Sequence, residues 1–135
     1  MNTNNNIEFI SNFQPYTLSL LDLLQYVDCK EDINYILIYM VYKPKNIFQN
    51  NTDFKFSKNI ELKVDFEYPK NHKINHSDFY TLGSFDCFSN TEFDIIDKVA
   101  PKKIRDKAYK IKSKLNQIFN KQVEIEVDTT VWDFT

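Results

Sequence analysis

The chain has 135 residues, 42% hydrophobic and 16% aromatic, with a formal net charge of −2. That is one domain's worth of sequence, residues 1–135, with ample material for a core. A single glycine, Gly83, excludes the glycine-rich loops that cradle nucleotide phosphates, and no run approaches the ~18 apolar residues of a membrane span.

Met1 to Asn6 is polar, and nothing in MNTNNNIEF resembles a basic, then apolar export leader. The expected location is therefore the cytoplasm, with no membrane association and with Cys29 and Cys87 reduced. Ile7 to Ile10 predicts a short strand or an extended arm. After Pro15, Thr17 to Val27 predicts a helix, and Ser19 with Asp22 resembles a capping box. Leu20, Leu21, Leu23, Leu24 and Val27 are too many for a narrow stripe, so this helix is expected to be largely buried.

Asn34 to Tyr42 (NYILIYMVY) is the strongest strand signal, with Ile36, Ile38, Met40 and Tyr42 on one face and Tyr35, Leu37, Tyr39 and Val41 on the other. Ile47 to Ser57 reads as a loop. Lys58 to Tyr68 alternates cleanly: Ile60, Leu62, Val64, Phe66 and Tyr68 face inward, while Glu61, Lys63, Asp65 and Glu67 face water. Phe79 to Phe88 predicts a third strand in which Gly83 marks a bulge or bend. Thr91 with Asp94 opens a short helical turn through Val99.

Pro101 to Asn120 predicts the long helix of the chain. Ile104, Ala108, Ile111, Leu115 and Ile118–Phe119 recur at three- and four-residue steps, and the other sides carry lysines. Gln122 to Asp128 then alternates as a final strand, with Val131-Trp132-Asp133-Phe134 extending it or docking separately. The expected architecture is α+β: a single antiparallel sheet of four to five strands, the long helix on one face, and the shorter N-terminal helix beside it or opposite.

Charge is distributed in blocks. Lys98 to Lys121 carries nine basic residues and one acid, and the rest of the chain carries a net −10. Asp78, Asp86, Glu92, Asp94 and Asp97 precede the basic helix with no base among them; Glu124, Glu126, Asp128 and Asp133 follow it.

Reactive constellations are sparse. His72 and His76 with Cys29 and Cys87 supply the residue types of a Cys2His2 zinc site, but neither cysteine belongs to a CxxC pair. Cys87 with one of the histidines is an arithmetically possible nucleophile and base. Its place between Phe85 and Phe88 in a strand pattern argues for an inert core thiol. Asp94 and Asp97 are better explained as acids near a helix start. The expectation is no metal, no cofactor and no enzymatic activity.

Two binding surfaces remain. One is carboxylate-rich and aromatic, with candidate contact residues Tyr35, Tyr39, Glu61, Asp65, Glu67, Asp78, Asp86, Asp94, Asp97 and Trp132. It suits a basic protein partner, steered by charge and fixed by desolvated rings. The expected function is a non-catalytic inhibitor of the immunity or antitoxin kind, neutralising a basic bacterial toxin such as a nuclease. The alternative is nucleic-acid binding through the lysines of 101–120. A single arginine among seventeen basic residues counts against it.

Overall fold

The computed structural model describes residues 7–16, 19–44, 53–74, 78–90, 99–119 and 123–133. Its elements in chain order are β1 (Phe9–Ile10), β2 (Gln14–Pro15), α1 (Leu20–Leu24), a 3-10 turn (Lys30–Asp32), β3 (Tyr35–Pro44), β4 (Phe56–Glu67), β5 (Asp78–Ser89), α2 (Lys102–Phe119) and β6 (Glu124–Asp133). The strands form one strongly curled, half-barrel sheet of six strands in the order β1-β5-β4-β3-β6, with β2 also on β5.

β3, β4 and β5 form the expected antiparallel meander. The sheet is mixed, however, and not purely antiparallel: β6 runs parallel to β3. The reason lies in the connection. β5 is followed by α2, a crossover long enough to return the chain to the far edge of the sheet in the direction of β3.

One face forms the core. Ile36, Ile38, Met40, Ile60, Leu62, Val64 and Phe66 are all fully inaccessible. Their alternation pairs them across the ladder as Ile36↔Phe66, Ile38↔Val64 and Met40↔Leu62. Each such side chain contributes about 1.5–3 kcal/mol relative to remaining in water. α2 covers this face against β3 and β6, burying Ile104, Ala108, Ile111 and Leu115. The Pro101 carbonyl accepts from the Ile104 and Arg105 amides, both at 3.0 Å, so the proline stands just ahead of the first helical residue.

α1 is shorter than Thr17–Val27 predicts. Ser19 caps it, its hydroxyl accepting from the Asp22 amide at 3.2 Å, and only five residues are helical. Leu23, Leu24 and Val27 are buried while Leu21 is exposed, so one stripe enters the core. Of the turn expected from Thr91 through Val99, residues 91–98 lie outside the described residues; Val99 itself forms an isolated bridge to Thr130.

Gly83 has a specific reason. β2 crosses β5 at this point, with Pro15 in register with Gly83. A Cβ there would lie 2.4 Å from the Phe13 ring and 2.5 Å from the Gln14 carbonyl oxygen. The Phe13 ring packs on Phe85, centroids 5.3 Å apart, and the Lys107 ammonium stands 4.6 Å above it from α2. Beside Gly83 the β4–β5 ladder shifts register, from Leu62↔Gly83 to Lys63↔Thr81, leaving Leu82 as the extra residue.

Candidate functional site

The face of the sheet opposite α2 gathers most of the sequence-predicted contact residues. Strand periodicity places Tyr35, Leu37, Tyr39 and Val41 of β3 there, beside Glu61, Lys63, Asp65 and Glu67 of β4. Register joins them as Tyr35↔Glu67, Leu37↔Asp65, Tyr39↔Lys63 and Val41↔Glu61. From β6, Glu124 stands beside Tyr35, Glu126 beside Leu37 and Trp132 beside Val41. Asp86 of β5 joins opposite Asn59, whose amide donates to its carboxylate at 2.9 Å. Asp78 is the register partner of Phe66 at the start of β5. Asp94 and Asp97 lie outside the described residues.

The two halves of this face differ electrostatically. Around Glu61 the charge is satisfied internally. The Tyr16 hydroxyl donates to Glu61 Oε2 at 2.7 Å, and the ammonium groups of Lys63 and Lys43 stand 3.7 and 3.8 Å from Oε1. Only 12% of the Glu61 side chain is accessible. Lys63 also donates to the Thr81 hydroxyl at 2.8 Å. Burial, and next the Glu61 carboxylate, raises the Tyr16 phenol above its ordinary pKa.

Around Tyr35 the charged groups among the described residues are carboxylates. Glu67 and Glu124 flank it in register, and Glu126 follows on the same side of β6. Burial raises the Tyr35 phenol, followed by the carboxylates of Glu126, Glu67 and Glu124. Glu124 is itself held above the usual carboxylate range by its hydrogen bond to, and repulsion from, Glu126. Burial and then Asp65 raise Tyr39 as well. Among the described residues, no lysine of α2 pairs with Glu67, Glu124 or Glu126. Lys102 pairs with Asp106 at 2.7 Å within the helix, and Lys103 donates to the Ile10 carbonyl at 3.1 Å.

Exposed rings border the patch. Trp132, 43% accessible, donates its indole N–H to Asp128 Oδ2 at 2.9 Å. Phe79, 63% accessible, stands opposite Asp65, with the Lys63 ammonium 5.9 Å from its centroid. The sequence reading missed Phe79 and Tyr16. Phe79 reaches this face because the extra residue Leu82 reverses the alternation of β5, which cannot be followed through a bulge by counting alone. Tyr16 gave no periodic signal, because β2 is two residues long.

The four thiol and imidazole residues do not meet as a Cys2His2 set. Cys87 is fully buried in register with Lys58 and Ile10, far along the sheet from the turn that carries His72. Burial, and then Asp86, pushes its thiol up to about 12, the state of an inert core cysteine. His76 lies outside the described residues. Cys29, not Cys87, is the cysteine beside His72.

No family model, curated protein or solved structure matches the chain. No helix among the described residues is long and apolar enough to cross a membrane.

Proposed function

We propose that this chain is a non-catalytic binding protein whose sheet face opposite α2 docks a basic protein partner. The carrying observation is the setting of Tyr35. It stands between Glu67 and Glu124, with Glu126 adjacent, and among the described residues none of these acids pairs with a lysine of α2. Carboxylates on a rigid sheet keep their spacing, so their field is fixed before the partner arrives. Trp132 and Phe79 supply aromatic area to be desolvated on contact. The kind of protein this suits is a stoichiometric inhibitor of the immunity or antitoxin type. Its carboxylates would occupy the basic nucleic-acid site of a toxin domain such as a nuclease, in the place of phosphates.

The test is titration of the chain against a basic nuclease toxin domain, taken from the gene next to its own where one is encoded there. A one-to-one complex is expected, weakened at least 100-fold by Glu67→Lys with Glu124→Lys and Glu126→Lys. Gel shift with duplex and single-stranded nucleic acid, before and after Lys102, Lys103, Lys107 and Lys110 are changed to Glu, tests the alternative use of α2. Retarded nucleic acid that is released by the lysine changes would replace the first reading with the second.

A further inference from the structure

Away from this sheet face, three donor groups of different chemistry converge where two turns touch. Cys29 and Asp32 begin and end the turn that follows α1, and His72 lies in the connection between β4 and β5. Their ligand atoms all lie within 4.8 Å of one another, the only such group of three among the described residues. Cys29 takes up the left-handed backbone conformation, φ 48° and ψ 46°. Tyr68 ties the two turns together: its hydroxyl donates to the Asp28 carbonyl, and its ring stacks on His72 with centroids 5.2 Å apart.

The hydrogen bonds define the imidazole. The Ile74 amide donates to His72 Nδ1 at 3.0 Å, so the neutral ring carries its proton on Nε2 and donates to Asp32 Oδ2 at 2.9 Å. An aspartate–histidine pair needs no thiol beside it. The third donor is what changes the chemistry of the cluster.

We propose that Cys29, Asp32 and His72 form a zinc site with three protein ligands and a fourth position for water. Thiolate, imidazole and carboxylate together suit Zn2+, whereas Mg2+ and Ca2+ prefer an all-oxygen shell. Cys29 and His72 are partly accessible and Asp32 is exposed, so a metal ion can enter from solution. On binding, the Cys29 thiol releases its proton to solvent and its sulfur bonds the metal. The imidazole exchanges its Nε2 proton for one on Nδ1, leaving the Nε2 lone pair for zinc. The Ile74 amide then loses its acceptor, which makes it a reporter of loading. The bound ion clips the 29–32 turn to the β4–β5 turn.

The experiment is titration of the metal-free full chain with Co2+, followed by displacement with Zn2+. One equivalent of Co2+ is expected to produce a thiolate-to-cobalt charge-transfer band, which one equivalent of Zn2+ removes. Cys29→Ser abolishes the band, Cys87→Ser keeps it, and His72→Ala weakens Co2+ binding at least tenfold. In the unmutated chain, Zn2+ shifts the Ile74 amide resonance and protects Cys29 from alkylation, so the result does not rest on the folding of any variant. Absence of the band at one equivalent, its survival in Cys29→Ser, or an unshifted Ile74 amide under saturating Zn2+ would overturn the proposal.

Discussion

The Tyr16 hydroxyl donates to the Glu61 carboxylate across 2.7 Å, joining the segment after β2 to the centre of the sheet face. With Lys63 and Lys43 also in reach, Glu61 acts as an internal counter-ion. Tyr16→Phe is therefore expected to cost about 1 kcal/mol of stability in denaturant unfolding. Partner affinity should change less than threefold. A large loss of affinity with unchanged stability would place Tyr16 in the contact itself.

Gly83→Ala should destabilise the fold by about 1–3 kcal/mol, the usual cost of forcing atoms into filled space. The backbone oxygen of Gln14 cannot swing aside as a side chain can, so β2 must lift from β5. Hydrogen exchange should show faster exchange at the Tyr16 amide, which donates to the Leu82 carbonyl, than at amides shared by β3 and β4. Equal protection in the variant and the parent would refute the close approach.

The two thiols should separate cleanly in reactivity. With its pKa pushed up to about 12, Cys87 is thiolate in only about one molecule in ten thousand at pH 8, and it is buried as well. Alkylation of the native, metal-free protein should modify one cysteine, Cys29, and the second only after denaturant is added. Mass spectrometry of the modified peptides checks this directly.

The carboxylates around Tyr35 give stability a particular pH dependence. Glu124 has a folded pKa raised above its ordinary 4.5. Just above that value the folded chain holds the proton more tightly than the unfolded chain does. Stability therefore falls as pH rises from 4.5 through the folded pKa, and the repulsion persists at higher pH. Glu126→Gln should raise the Tm at neutral pH and leave it unchanged below pH 4.5. A variant less stable than the parent at pH 7 would show that Glu124 and Glu126 do not repel.

Much of this arrangement is legible in the chain itself. The alternation from Lys58 to Tyr68 identifies β4 and both its faces, and the spacing of Ile104, Ala108, Ile111 and Leu115 identifies the buried stripe of α2. Alternation states which side chains share a face. It does not state which strand lies alongside, so the parallel pairing of β6 with β3 was hidden. Two local irregularities hid more. Leu82 resets the phase of β5, and β6 breaks register after Val127, where the Asp128 carboxylate accepts from the Thr130 amide and the Trp132 indole. Without those breaks in view, Phe79 cannot be placed, and the carboxylate patch around Tyr35 cannot be separated from the neutralised region around Glu61. The meeting of Cys29 with His72 is likewise a property of two turns brought together by Tyr68, which no spacing in the sequence encodes.

The patch around Tyr35 is tested most directly by stopped-flow association of the chain with that basic toxin domain, at low and high salt. The unmodified chain should associate fast at low salt and slow by at least tenfold at high salt. With Glu67, Glu124 and Glu126 changed to Lys, the low-salt rate should fall to the high-salt value. A rate untouched by those three changes, or one abolished instead by reversing the lysines of α2, would contradict the account.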